Sequence, residues 1–312
     1  QTAQALERLT KAAEAGQDCA QYALGKIYRD GQGVEKDIQK AVALFTLAAT
    51  KENSFAAFAL GKLYLAGDAA LPRDPAAALK WLTYAAELGN QFAQYRLGKL
   101  LLKGDDGIPK DVITAIRWLT AAAKQENGYA EYALALVYLT GEDAPKDSVK
   151  ALSLLKRSAG RGNQFAQYRL GKLLLQGEDA PKDVKAAIRW LTAAAEQGNQ
   201  YAQYALGKLY LLGKEVPKDR SSAIKWFQLA ADQGNEYAQY FLKHMDDRLG
   251  QPPVAAVISL FHHLANIFQE QNQPPPSGGV RVAVDRKLLR KIKAKKIAQG
   301  HKADDHEPEM QL

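Results

Sequence analysis

The chain predicts an all-α solenoid of stacked helix pairs, and three observations carry that expectation. A signature of the form Ala-Gln-Tyr-x-Leu-Gly-Lys recurs every 36 or 37 residues, anchored at Ala20, Ala56, Ala93, Ala130, Ala166, Ala202 and Ala238. Between signatures stands a second apolar pattern at helical spacing, in most copies Ala-x-x-Trp followed by an Ala-Ala pair. Loops containing Gly, Pro and Asp separate the two patterns, and no candidate strand occurs. A repeat this short cannot bury a core alone, so neighbouring copies share one and the stack presents an extended surface.

The first helix of each copy places its signature Ala, the Leu four residues on and a Tyr or Leu eight residues on along one face, as in Ala20, Leu24 and Tyr28. The Gly after that Leu (Gly25, Gly61, Gly98, Gly171, Gly207) lowers helix propensity by about 1 kcal/mol against Ala. Close approach of a second helix is the expected compensation; the fourth copy has Ala135 there. A second Gly closes the helix (Gly31, Gly67, Gly104, Gly141, Gly177, Gly213), a residue suited to the positive φ of a helix C-terminus. The loop ends on Pro-Lys-Asp, with Asp111, Asp147, Asp183 and Asp219 as N-caps of the second helix. That helix carries Trp81, Trp118, Trp190 and Trp226 at one repeat position, with Leu44 and Leu154 elsewhere; helical spacing assigns them to the core, against a ligand-stacking alternative.

Residues 1–249 are expected to form six full repeats of 36–37 residues plus partial terminal units. Residues 250–271 are expected to form an amphipathic capping helix, with a membrane-surface helix as the alternative, and 272–279 a Pro/Gly linker. Residues 280–312 read as a basic helix followed by an acidic, disordered tail. Residues 280–302 hold nine Lys or Arg against Asp285, a local sum of +8, and residues 303–312 hold four acids, a sum of −4; the remaining +4 of the chain's net +8 is spread over the repeat region. Repeats three and five are nearly identical, Gly89-Asn-Gln-Phe-Ala-Gln-Tyr-Arg-Leu-Gly-Lys against Gly162-Asn-Gln-Phe-Ala-Gln-Tyr-Arg-Leu-Gly-Lys, which points to duplication of a two-repeat block.

The motifs Ala-x-Tyr-x-Leu-Gly, Lys-Asp and Ala-x-x-Trp-x-x-x-Ala-Ala resemble the Sel1-like repeats, relatives of the tetratricopeptide repeats. The resemblance implies a right-handed α-solenoid of antiparallel helix pairs used as a scaffold for protein complexes, without chemistry of its own. The end of the chain, from Pro-Pro and His-His-Leu-x-x-Ile-Phe through Pro-Pro-Pro-Ser-Gly-Gly to Asp-Arg-Lys-Leu-Leu-Arg-Lys-Ile-Lys, is similar to the C-terminal ends of Mob-type relaxases from mobile elements of gut Firmicutes. That resemblance implies an accessory arm of a DNA-nicking enzyme of conjugative mobilisation, with the chemistry upstream of Gln1. The start, inside a helical pattern and without an initiator Met, is expected of a fragment. The alternative is a free-standing regulatory scaffold without DNA contact.

Candidate partner-binding residues are the cations recurring on the first helix: Lys26, Lys62, Lys99, Lys172 and Lys208, with Arg96 and Arg169 where other copies have Ala. They suit an acidic protein or nucleic acid, against the plainer reading of a solvated face. Leu136 interrupts the row in the fourth copy. The in-register polar positions Gln21, Gln94, Glu131, Gln167, Gln203 and Gln239 are considered on the same footing. Arg286, Lys287, Arg290, Lys291, Lys293, Lys295 and Lys296 are the candidates for non-specific DNA or anion binding, a solvated tail being the alternative. Cys19, alone and in a position filled by aromatics elsewhere, is expected to be a buried structural thiol in a reducing, cytoplasmic setting. No run reaches the roughly 18 apolar residues of a membrane span. No phosphate loop or zinc-type spacing occurs and the five His lie late, so no enzyme activity, cofactor or metal is expected; the oligomeric state is open.

Overall fold

A computed structural model describes residues 2–104 and 107–245. The capping helix, linker, basic helix and acidic tail expected at 250–312 lie outside the described residues. Among the described residues fourteen helices run in order: α1 Thr2–Glu14, α2 Asp18–Asp30, α3 Ile38–Ala49, α4 Ser54–Ala66, α5 Pro75–Glu87, α6 Gln91–Lys103 and α7 Val112–Lys124, then α8 Gly128–Thr140, α9 Ser148–Gly160, α10 Gln164–Gln176, α11 Val184–Glu196, α12 Gln200–Leu212, α13 Arg220–Asp232 and α14 Glu236–Met245. Each even-numbered helix carries a signature and pairs with the odd-numbered helix after it. Units one to six are therefore α2–α3 through α12–α13, with α1 and α14 as half units. The array is an all-helical solenoid; among the described residues the only β-type pairing is an isolated bridge, Asp68 with Leu71, inside a loop.

Capping chemistry sets the boundaries. The second helix of every unit starts on an Asp (Asp37, Asp74, Asp111, Asp147, Asp183, Asp219) whose side chain accepts from the N–H three residues on, satisfying one of the donors a helix start leaves open. The same Asp donates its own N–H to a first-helix carbonyl, as from Asp37 to Tyr28 and from Asp183 to Leu174, which closes the loop. First helices begin on Asn53, Asn90, Asn127, Asn163 and Asn199 in the same way. Those Asn caps were legible as an Asn three residues before the signature Ala, after Gly at Asn90, Asn163 and Asn199 and after Glu at Asn53 and Asn127. Where the loop has seven residues its opening Gly is left-handed, as at Gly177 (φ 75°, ψ 17°); in units two and three, one residue longer, Gly67 and Gly104 keep positive φ with an extended ψ. The alternation between 36 and 37 residues is this one-residue difference.

The core lies between the two helices of a unit and continues into the next. Gly25, Gly61, Gly98, Gly171 and Gly207 form a notch in the first helix. A Cβ added at any of them would come within 2.6–2.8 Å of Phe45, Leu82, Leu119, Leu191 or Phe227 on the second. These inserted side chains are among the largest that are fully buried. Burial of one such side chain contributes about 1.5–3 kcal/mol, more than the ~1 kcal/mol of helix propensity a Gly gives up, so the notch is favourable overall. In unit four Ala135 faces Leu155 and both are fully buried.

This placement corrects the tryptophan expectation. Trp81, Trp118, Trp190 and Trp226 are only partly buried, packed against the edge of the core, while the residue following each one fills the notch. Size pointed to the indole, but the notch is filled by the Leu or Phe one residue further on, whose bearing on the helix faces the glycine. The outer parts of three indoles instead meet neighbouring cations, Arg117 on Trp118, Arg189 on Trp190 and Lys225 on Trp226. Leu191→Ala is expected to cost about 2–5 kcal/mol and Trp190→Ala less. Paired thermal melts check this, and an equal or larger loss for Trp190→Ala would contradict the assignment.

Candidate partner-binding surface

The first helices meet one another through an aromatic row. Tyr22, Phe58, Tyr95, Tyr132, Tyr168 and Tyr204, two residues after each signature Ala, contact Phe55, Phe92, Tyr129, Phe165, Tyr201 and Tyr237 of the following unit, with ring centroids 5.9–6.4 Å apart. Cys19 holds the second of these ring positions in unit one, where no ring precedes it among the described residues. Its side chain is exposed, which overturns the buried-thiol expectation. An aromatic there packs only because the unit before supplies a ring.

The lysines lie on this row. One turn beyond each aromatic, Lys26, Lys62, Lys99 and Lys172 sit over the rings of Tyr22, Phe58, Tyr95 and Tyr168 at 5.7–5.8 Å from the centroid, a cation–π spacing worth about 0.5–1 kcal/mol near a surface. Lys208 continues the row: burial, then the charges of Lys172 and Lys214, hold its ammonium below the usual lysine range. Lys172 is lowered likewise, by burial first and Arg169 second. Arg96 and Arg169 are partly buried one turn before Lys99 and Lys172, and the Nε of Arg169 is buried without a hydrogen-bond partner. Asp179 feels Arg169, but its carboxylate is already engaged by Lys146 at 2.8 Å and Ser148 at 2.7 Å. In unit four the aromatic row continues through Tyr132 while Leu136, half-buried, takes the lysine position.

Four of the glutamine positions are not partner-facing, and that expectation is corrected for them; Gln239, in the last half unit, makes the same bond to Ala231 but is exposed. Gln21, Gln94, Gln167 and Gln203 are buried and donate to Ala13, Ala86, Ala159 and Ala195 carbonyls at 3.0–3.1 Å, tying each first helix to the end of the helix before it. The Oε1 atoms of Gln94, Gln167 and Gln203 accept in turn from Gln125, Gln197 and Gln233 at 2.7–2.9 Å. These amides end the helix that precedes a unit and the helix that completes it in one hydrogen-bonded strip.

Unit four replaces both members of the strip with charges. Glu131, with no exposed surface, stands for Gln, and Arg161 stands for its partner, its Nε 3.3 Å from Oε2. Arg157 brings Nη2 to 2.6 Å from Oε1, an ion pair although not aligned as a hydrogen bond. Arg161 also holds Glu126 at 3.0 Å, which keeps the Glu126 carboxyl below its usual range. Arg161→Gln leaves the buried Glu131 carboxylate to Arg157 alone, and is expected to lower the melting temperature. The double variant Glu131→Gln/Arg161→Gln, which rebuilds the strip of the other units, should return to within about 1 kcal/mol of the parent in a double-mutant cycle. Additive losses would show that the two side chains are not coupled.

Burial also pushes the phenols of Tyr95 and Tyr168 up to about 12, from an ordinary 10.0. The folded chain then keeps protons that the unfolded chain releases. Stability from the neutral phenols is complete below pH 10.0 and drains as pH rises towards about 12. Denaturation midpoints on either side of that window should fall with rising pH, and substitution of both residues by Phe should flatten the fall; an unchanged slope in the double variant would contradict it.

With this geometry in place, comparisons with known proteins define the class. The Sel1 repeat model matches residues 20–53, 54–90, 91–127, 128–163, 164–199 and 200–235, so the chain belongs to the Sel1 repeat family. Among solved structures it is similar to a Sel1 repeat protein from Oxalobacter formigenes, with 34% identity over 76% of this chain and 68% of that one, at a TM-score of 0.69. It is also similar to c5321, described as a protective antigen of uropathogenic Escherichia coli with an SLR fold, with 28% identity over 90% of this chain and a TM-score of 0.70. The match spans 61% of the length of c5321. No curated protein sequence is significantly similar to the chain. Among the described residues no helix is long and apolar enough to cross a membrane.

Proposed function

We propose that the chain is a non-catalytic scaffold that holds partner proteins along the row of first helices, with Lys26, Lys62, Lys99, Lys172, Lys208, Arg96 and Arg169 as contact residues. The observation that supports it is the cation row laid on an unbroken aromatic row, a surface that continues from unit to unit while each core closes behind it. An extended surface of this kind suits distributed contacts with another chain. Capture with the full-length chain should recover a protein partner whose binding survives nuclease. Charge reversal at Lys99 and Lys172 together should abolish that binding, and retention by the doubly reversed chain would overturn the reading.

A finer reading rests on the last sixty residues. Their similarity to relaxase C-termini supports a place as the accessory arm of a mobilisation enzyme acting in the cytoplasm, with the catalytic residues on another part of a longer protein. In that reading Arg286, Lys287, Arg290, Lys291, Lys293, Lys295 and Lys296 supply non-specific DNA affinity from residues 280–302. Duplex binding should weaken steeply as salt rises and disappear on deletion of 280–312. Affinity that survives the deletion would sink the role of this segment and favour the free-standing scaffold.

A further inference from the structure

Units three and five carry the same local arrangement: an arginine one turn before a lysine that lies on a tyrosine, Arg96, Lys99 and Tyr95 in one, Arg169, Lys172 and Tyr168 in the other. Unit four, between them, keeps the ring with Tyr132 but has Ala133 and Leu136 in the cationic positions. Its one buried acid, Glu131, is consumed by Arg157 and Arg161. The row is thus split into two positive stretches with an apolar, half-exposed step between them. The second stretch runs on from Arg169 and Lys172 to Lys208 of unit six, close enough that Lys172 depresses the Lys208 ammonium.

Resting on the scaffold reading above, we infer that the partner segment is an extended acidic peptide in two parts, with carboxylate clusters seated at Arg96–Lys99 and at Arg169–Lys172 and an apolar side chain on Leu136. Each unit advances by about one helix spacing, roughly 10 Å, so the two stretches lie about 20 Å apart, some six residues of extended chain at ~3.3 Å each. Carboxylates suit the site because an arginine fork and a lysine within one turn offer paired, charge-assisted donors. Stacked bases suit it less. The rings that a single strand would need are packed on neighbouring rings and overlaid by lysines, whereas base binding calls for an open aromatic face.

The test uses the full chain and fluorescence anisotropy with a labelled peptide, Asp-Asp-Ser-Ser-Leu-Ser-Ser-Asp-Asp, an isomer in which the four Asp are contiguous, and a single-stranded oligonucleotide as competitor. Arg96→Ala and Arg169→Ala install the residue of the other units (Ala23, Ala59, Ala133, Ala205), and Leu136→Lys installs that of five others, so all three variants are expected to fold. The split peptide should bind more tightly than its isomer, and each arginine variant should weaken it roughly tenfold. Leu136→Lys should erase the preference for the split form. Equal binding of the two peptides by the parent, indifference to both arginine variants, or displacement by the oligonucleotide at lower concentration than by unlabelled peptide would each overturn the inference. A partner still captured by the Arg96→Ala/Arg169→Ala chain would overturn it while leaving the scaffold reading in place; failure to capture any partner would instead remove the scaffold reading itself.

Discussion

The array depends on one steric fact, the insertion of a Leu or Phe from the second helix into a glycine notch on the first. With a Cβ at Gly98 only 2.6 Å would remain to the Leu119 Cγ, so the distance between the two helices of a unit is set by the absence of that atom. A short helix of 13 residues is marginal in isolation, and its stability comes from the face it buries. The notch brings two such faces close enough to exclude water. The small Ala residues around it, Ala56, Ala93, Ala166 and Ala202 among them, are fully buried for the same reason. A larger side chain would hold the next unit away, and the aromatic row could not close.

Polar groups fix how one unit follows another. Apolar packing is non-directional, and a stack of similar faces could slide or rotate at modest cost. The buried glutamine strip and the Asn and Asp caps remove that freedom, because each donor and acceptor finds its partner in only one arrangement. Unit four shows that the geometry matters more than the residue type. An ion pair of Glu131 with Arg161 occupies the same place as two amides and joins the same two helix ends. Exposed pairs between successive loops, Lys36 with Asp68, Lys146 with Asp179 and Lys182 with Glu215, follow the same period. Solvent screening makes each of them a small contributor.

The surface left for a partner follows from those constraints. Once the notch and the strip are occupied, the first helix has one face remaining, and on it the sequence alternates ring and cation at a spacing of four. Half-burial of the lysines on aromatic rings restrains their stems and lowers the hydration of their heads, so less ordering and desolvation remain for binding. Units three and five, nearly identical in sequence, therefore share a piece of surface chemistry together with a piece of core. At Leu136 the lysine row is interrupted by an apolar side chain.

Repetition made much of this protein legible from its sequence. Seven aligned copies exposed the helix pairs, the Gly that ends each first helix, the Asp that begins each second and the lysine row, because local capping and helical periodicity act within a few residues and recur. Three-dimensional contacts between copies were not legible in that way. Periodicity places Trp190 and Leu191 on adjacent bearings of one helix; only the shape of the notch opposite decides that Leu191 enters and Trp190 covers the edge. Gln94 and Lys99 are both polar on the same helix, yet Gln94 is buried because a carbonyl at Ala86 and an amide at Gln125 wait for it, residues that only packing brings together. Cys19 shares its column with aromatics that are themselves half-buried or, at Phe55 and Tyr201, exposed, so the column lies at the edge of the stack, where only a ring from the preceding unit is met. The sequence by itself determined the repeating helix pair and its local stops; tertiary structure decided which side of each helix is core, strip or surface, because that choice depends on distances between residues some 30 positions apart.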